Sequence, residues 1–261
     1  MNLERAYSMY NFEEYDDPVL YDRENDSIID DIVFLKKWAK RTRGKIIDLA
    51  CGTGRATIPL ARNGHQMIGV DVHKGMLEEA RRKSTNLTLP IDFVLQDCTA
   101  LNLNVKSSFI FSVGNSFQHF LTNEAQDGLI RSVSRHLEVG GLFIFDTRFP
   151  KEEELLQPSG EEFWRSYIDR ATSQQVDVYT KSEYDALSQI QHYTTIRRLL
   201  DKHKEIINEK TTSIRLRYVF PKEMERLLSP YGLEIVNIYS DWEANPLTKS
   251  SDQMVYLCRK I

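Results

Sequence analysis

The stretch Ile46-Ile47-Asp48-Leu49-Ala50-Cys51-Gly52-Thr53-Gly54-Arg55-Ala56-Thr57 ends an apolar run in an acid, turns on two glycines and enters a helical pattern. Glycines 52 and 54 let the backbone turn sharply and approach a ligand with no Cβ in the way. A helix opened by such a turn aims its first free N–H groups at the crevice. A pyrophosphate fingerprint would carry a third glycine three residues after Gly54, and that position is Thr57. The turn therefore suits a nucleoside ligand with no pyrophosphate. A second acid, Asp71, ends the run Ile68-Gly69-Val70-Asp71 and lies 19 residues past Gly52. At that spacing a carboxylate accepts hydrogen bonds from both hydroxyls of a ribose, each contributing about 1.5–3 kcal/mol. Dinucleotides and smaller adenosyl ligands are held alike by such a grip, and a helix N-cap ahead of His73 is the competing role.

Further candidates follow at chain positions that read as strand ends. Asp97 stands in Gln96-Asp97-Cys98, and the segment Phe111-Ser112-Val113-Gly114-Asn115-Ser116-Phe117-Gln118-His119-Phe120 is rich in small, polar and aromatic groups. The N-terminal stretch carries Tyr7, Tyr10, Phe12, Tyr15 and the run Leu20-Tyr21-Asp22.

The acid followed by x-Gly-x-Gly resembles motif I of the class I S-adenosylmethionine-dependent methyltransferases. The resemblance covers roughly residues 15–150 and the last two strands. It implies a cofactor site drawn from Asp48, Ala50, Gly52, Gly54, Asp71 and Val72, with Met76, Asp97, Cys98, Ser112 and Asn115 completing it. Asp97 would then meet the exocyclic adenine amine, and Cys98 is an inert neighbour because nothing basic lies beside it. The 111–120 segment lacks the prolines of enzymes that methylate exocyclic base nitrogens and the paired glutamates of protein-arginine enzymes. It looks instead like the small-molecule N-methyltransferases of the glycine and amino-sugar kind. His119 is then a general base or polar guide for the acceptor, with a structural histidine as the bland alternative. Tyr21 is similar to an aromatic lid residue that covers the sulfonium side of the cofactor, where a ring face favours a cation. Ser112 stands where metal-dependent O-methyltransferases keep an acidic cluster, which implies no metal.

The elements that must position these residues alternate in the first half of the chain, as in βαβ units and a parallel sheet. Strands are predicted over 45–50, 66–71, 91–96, 108–113 and 141–147, with helices over 27–40, 54–63, 73–85 and 123–137. Gly140 and Gly141 are expected to close the last of these helices. After Pro150 the period changes to two, most clearly in Ile214, Leu216, Tyr218 and Phe220 against Ser213, Arg215, Arg217 and Val219. About four antiparallel strands are expected there, followed by a short helix at 222–229 and strands near 233–241 and 252–259. The expected fold is a Rossmann-like α/β domain: a seven-stranded, mostly parallel sheet with an antiparallel β insertion after the fifth strand. Residues 1–149 and 221–261 form the cofactor-binding domain and 150–220 the insertion. An insertion there adjoins the ligand crevice of such folds, so Arg148, Trp164, Tyr193 and Arg197, with Phe117, are acceptor-binding candidates. Its exposed sheet edge suggests a homodimer.

At 261 residues, with 41% apolar and 28% charged side chains, the chain can bury a full core. No apolar run is long enough for a membrane span, no secretory segment opens the chain, and three scattered cysteines make no disulfide framework, which reads as cytoplasmic. A net charge of −4 disfavours a phosphate backbone as the main partner, despite the basic cluster Arg197, Arg198, Lys202, His203, Lys204, Lys210, Arg215 and Arg217.

The expected activity is transfer of a methyl group from S-adenosyl-L-methionine to a small-molecule acceptor, an amine nitrogen by preference, leaving S-adenosyl-L-homocysteine. The alternatives are an O- or RNA methyltransferase on the same fold, a nicotinamide-dependent dehydrogenase, or a cofactor-binding module without catalysis.

Overall fold

A computed structural model describes residues 11–157, 159–169 and 172–261. It divides into two compact units. The larger comprises Tyr15–Lys151 and Tyr218–Ile261. Its seven strands are β1 (Lys45–Leu49), β2 (Gln66–Asp71), β3 (Ile91–Leu95), β4 (Ser107–Ser112), β5 (Leu137–Arg148), β10 (Leu233–Tyr239) and β11 (Gln253–Lys260). The sheet order is β10-β11-β5-β4-β1-β2-β3, parallel from β5 to β3, with β11 antiparallel to both of its neighbours. This is the Rossmann-like architecture expected from the alternating pattern.

Helices on both faces explain why the strands read as continuous apolar runs rather than as alternation. Ile46, Phe109, Phe111 and Ile144 pack with Ile32, Leu35, Ala39 and Leu60 on one face. Ile47, Ile110, Phe143 and Phe145 pack with Leu129, Ile130, Val133, Met224 and Leu228 on the other. Phe145 stacks on Phe143 at 4.7 Å and on Tyr256 at 4.9 Å between ring centroids. Chain order reverses about β1, which has β2 on one side and β4 on the other, so a crevice opens at the carboxyl ends of β1 and β4.

Two local expectations are corrected. The helix after β1 spans only Thr57–Arg62, because the glycine turn continues through Ala56. Gly140 is left-handed at φ 79° but lies within β5, where the pairing with β4 shifts register; the preceding helix Asn123–His136 ends on an extended Leu137 instead.

The second unit joins the stretch 11–14 to Glu152–Arg217. Its strands β6 (Glu162–Ile168), β7 (Gln175–Asp185), β8 (Ile190–Leu200) and β9 (Ile206–Arg217) form an antiparallel sheet in that order. The alternation read through Phe220 stops at Arg217, since Tyr218 and Val219 are both buried. Glu13 and Asn11 accept from the amides of Ser213 and Arg215 at 2.8 and 2.6 Å, which covers that part of the β9 edge.

Candidate functional site

The turn after β1 is shaped by alternating left-handed residues: Ala50 at φ 54°, Gly52 at 55° and Gly54 at 79°. A non-glycine residue held there signals a backbone over-determined by its surroundings, as functional turns are. The Gly52 amide donates to Asp71 Oδ2 at 2.8 Å, and the His73 amide to Asp71 Oδ1 at 2.7 Å. Asp71 thus ties the first turn to the end of β2, while His73, not Asp71, caps the following helix by accepting from the Met76 amide. A Cβ at Gly52 would stand 3.2 Å from the flexible Met76 Cε, which would have to shift slightly, and the φ of 55° there favours glycine. Burial pushes Asp71 above the usual carboxylate range, opposed by the two amides.

Asp48 is 1% exposed and accepts from the Thr57 hydroxyl at 2.5 Å. Thr57, conspicuous in the sequence for not being glycine, therefore supplies a partner to the motif's acid. Asp48 Oδ1 has none, nor has the buried Ser112 Oγ at the end of β4. Burial raises Asp48 to about 8. Buried polar atoms are nearly always paired, so these two stand out as positions available to a polar ligand. Val72 lies half-buried between Asp71 and His73. At the end of β3, Asp97 accepts from the Thr99 amide at 2.8 Å, and the buried Cys98 thiol meets the Ala50 backbone. Burial pushes Cys98 well up, which leaves it unreactive.

The exit of β4 carries two successive left-handed residues, Gly114 at φ 77° and Asn115 at 58°. The helical turn Ser116–His119 follows. It turns Phe117 inward, wholly buried and 5.2 Å from the Phe145 ring. The same turn brings His119 Nε2 within 2.8 Å of the Tyr15 hydroxyl, whose ring lies 5.6 Å from that of Tyr21. Burial holds His119 down at about 4 and pushes Tyr21 up to about 12. The imidazole is therefore neutral and the Tyr21 phenol protonated at neutral pH. Tyr7 and Tyr10 lie outside the described residues.

Three residues not singled out from the sequence, Arg55, Asp31 and Asp146, complete this region together with Asp22 of the Leu20-Tyr21-Asp22 run. Arg55 grips Asp31 with both guanidinium nitrogens, one at 2.9 Å, and donates to the Ile28 carbonyl at 2.7 Å. Asp22 accepts from the Thr53 hydroxyl and from Lys83 at 2.8 Å, fastening the Tyr21-Asp22 segment to the glycine turn. Asp146 stands near the end of β5. The arginine directly after Gly54 was the available signal; Asp31 and Asp146 sit in unremarkable polar positions.

The acceptor candidates are divided between the two units. The Arg148 amide donates to Gln118 Oε1 at 3.4 Å in the larger unit. In the second unit, Arg197 is buried in an ion pair with Glu14 at 2.8 Å and donates to Thr212 at 2.8 Å, so its charge is committed within the sheet. The Tyr193 hydroxyl donates to Glu154. Trp164 is exposed, with the Arg165 guanidinium 4.1 Å over its ring. Arg198 is paired with Glu161 and Glu209, which neutralises part of the basic cluster. Among the described residues, no three His, Cys, Asp or Glu side chains gather as metal ligands, and no helix is long and apolar enough to cross a membrane.

Residues 46–141 match the family described as a methyltransferase domain. A putative methyltransferase of Bacillus subtilis, YqeM, is 31% identical over 114 residues, covering 42% of this chain and 46% of that protein; the chain thus aligns with about half the length of such curated relatives. Among solved structures, an S-adenosylmethionine-dependent methyltransferase of Clostridium acetobutylicum superposes with a TM-score of 0.77 at 22% identity, covering 99% of each chain. The sugar N-methyltransferase KedS8 of Streptoalloteichus superposes with a TM-score of 0.68 at 16% identity, covering 93% of this chain and 92% of that one. These likenesses show the fold.

Proposed function

We propose, for a chain whose residues 46–141 match the methyltransferase domain family, that it is an S-adenosylmethionine-dependent methyltransferase acting on an amine nitrogen of a small molecule. The observation that carries this reading is the frame in which Asp71 holds the Gly52 amide beside a buried Asp48 whose second oxygen is unpartnered. Such a frame offers acceptors for ribose hydroxyls and an amino group, and no third glycine for a pyrophosphate. Asp71 retains lone pairs for two hydroxyls, Asp97 stands at the β3 end for the adenine amine, and Gly52 and Gly54 allow close approach. When bound, S-adenosylmethionine supplies an electrophilic methyl on a sulfonium.

The chain's own contribution is positioning and proton handling. Holding two reactants in line contributes roughly 7–11 kcal/mol without any covalent enzyme intermediate. An amine must attack through a free lone pair, and neutral His119, hydrogen-bonded to Tyr15, is available to take its proton. A nitrogen acceptor is further supported by the likeness to KedS8, named a sugar N-methyltransferase. The test is calorimetry with S-adenosylmethionine, S-adenosylhomocysteine and NADH, followed by a panel of amino sugars, amino acids and phenols assayed for S-adenosylhomocysteine. Binding of the first two and turnover of amines is expected; binding of NADH alone overturns the reading.

A further inference from the structure

The β4 exit loop has an anchor that the reading above leaves unused. Gly114 and Asn115 are left-handed in succession, and for asparagine that conformation is unfavourable by roughly 1 kcal/mol unless something holds it. What holds it is Asp146, 1% exposed near the end of β5. Its Oδ1 accepts from the Asn115 amide at 3.1 Å, and its Oδ2 from Gln253 Nε2 of β11 at 2.6 Å. A second tie follows two residues on, where the Arg148 amide donates to Gln118 Oε1 at 3.4 Å. The loop is thereby fixed to β5 at Asn115, just ahead of the turn, and at Gln118 within it, next to His119. The surroundings are polar and buried: Ser112 Oγ, Asn115 Oδ1 and Thr147 Oγ1 lack partners.

We infer that Asp146 is a positioning residue for methyl transfer, fixing through the Asn115 amide where His119 stands. This rests on the methyltransferase reading. Charged groups near Asp146 are Asp31 and Arg55; its other neighbours named here are the neutral donors of Asn115 and Gln253. Burial brings Asp146 to about 7, far above an ordinary carboxylate, so it ionises as pH rises through neutrality. The ionised form accepts the Asn115 N–H more strongly and firms the loop.

The experiment compares Asp146→Ala, Asp146→Asn and Gln253→Leu with the wild type. Asp146→Ala is expected to lower kcat by about tenfold or more, since small misplacements are costly in methyl transfer, with the S-adenosylmethionine Kd within about threefold. Asp146→Asn keeps an oxygen for the Asn115 amide and should recover most of kcat, while removing the component of the pH profile that rises near 7. Amide hydrogen exchange at Asn115 reads the anchor without activity: protection should be lost in Asp146→Ala and kept in Asp146→Asn. Should Asp146→Ala not fold, Gln253→Leu, which removes only the outer donor, should shift that pH component without abolishing protection. Wild-type kcat in Asp146→Ala, an Asp146→Asn as impaired as the alanine variant, or an unprotected Asn115 amide in the wild type overturns the assignment. If the wild type binds no S-adenosylmethionine while Asn115 protection follows Asp146, the methyltransferase reading fails and the anchor stands.

Discussion

The Tyr15 hydroxyl lies 2.8 Å from His119 Nε2, joining the segment ahead of the first helix to the loop after β4. Which of the two donates follows the imidazole tautomer: with the proton on Nε2 the ring donates to the phenol oxygen and its basic lone pair lies on Nδ1. With His119 held at about 4, the ring is already neutral at pH 5. His119→Asn should therefore lower the plateau of kcat by at least about tenfold, with an unchanged profile shape between pH 5 and 6, loss of the rise near 7 that Asp146 exerts through His119, and unchanged cofactor Kd. Tyr15→Phe should show a smaller loss of the same form. Steady-state rates against pH decide it, and an unaltered plateau in His119→Asn makes that histidine structural.

For Asp71 the expectation concerns binding. Asp71→Ala removes the proposed acceptor for ribose hydroxyls and the partner of the Gly52 and His73 amides, so S-adenosylmethionine affinity should fall by about tenfold or more, at least 1.4 kcal/mol. Titration calorimetry gives the number, and an affinity equal to wild type removes Asp71 from the cofactor site.

Stability should fall with rising pH near neutrality. Asp48 titrates at about 8 in the folded chain against an ordinary value of 3.8, so the folded state holds a proton that the unfolded chain releases. The stability associated with that proton is present at low pH and is lost as pH rises from about 4 through 8, at up to about 1.4 kcal/mol per pH unit. His119 acts in the opposite sense, but only between about 4 and its ordinary 6.5. Between pH 6.5 and 8 Asp48→Asn, which can still accept from Thr57, should flatten the slope of urea-derived stability; Asp146 leaves a residual slope below about 7. An identical slope in variant and wild type rules Asp48 out as its source.

What could be read from the chain alone was the part whose partners lie close in the sequence or repeat with a secondary-structure period. Asp48, Gly52 and Thr57 fall within one turn, and Asp71 ends the very next strand, so spacing sufficed to bring them together. The parallel sheet was equally legible from its apolar runs. Asp31 was not: as an acid in the first turn of the helix Asp30–Ala39 it gives no local sign of its partner Arg55, 24 residues on. Asp146 escaped for the same reason. The inward turn of the β4 exit loop depends on a contact spanning 31 residues, and no local pattern encodes it.

The Arg55–Asp31 pair gives the sharpest stability prediction, because both side chains are nearly inaccessible, at 10% and 2% exposure. Arg55→Ala leaves the Asp31 carboxylate buried without its cation, which costs about 3–5 kcal/mol, whereas exchanging both partners for apolar residues is often neutral. Arg55→Met combined with Asp31→Leu should therefore be more stable than Arg55→Met alone, measured by chemical denaturation of all four members of that cycle. The guanidinium also lies 4.0 Å from where a Gly114 Cβ would stand, so the double variant removes the positive charge beside the β4 exit loop. If that charge supports the cofactor site as well as the fold, the double variant should be stable and yet bind S-adenosylmethionine more weakly. A stable double variant with wild-type affinity confines Arg55 to holding the helix Asp30–Ala39 against the glycine turn.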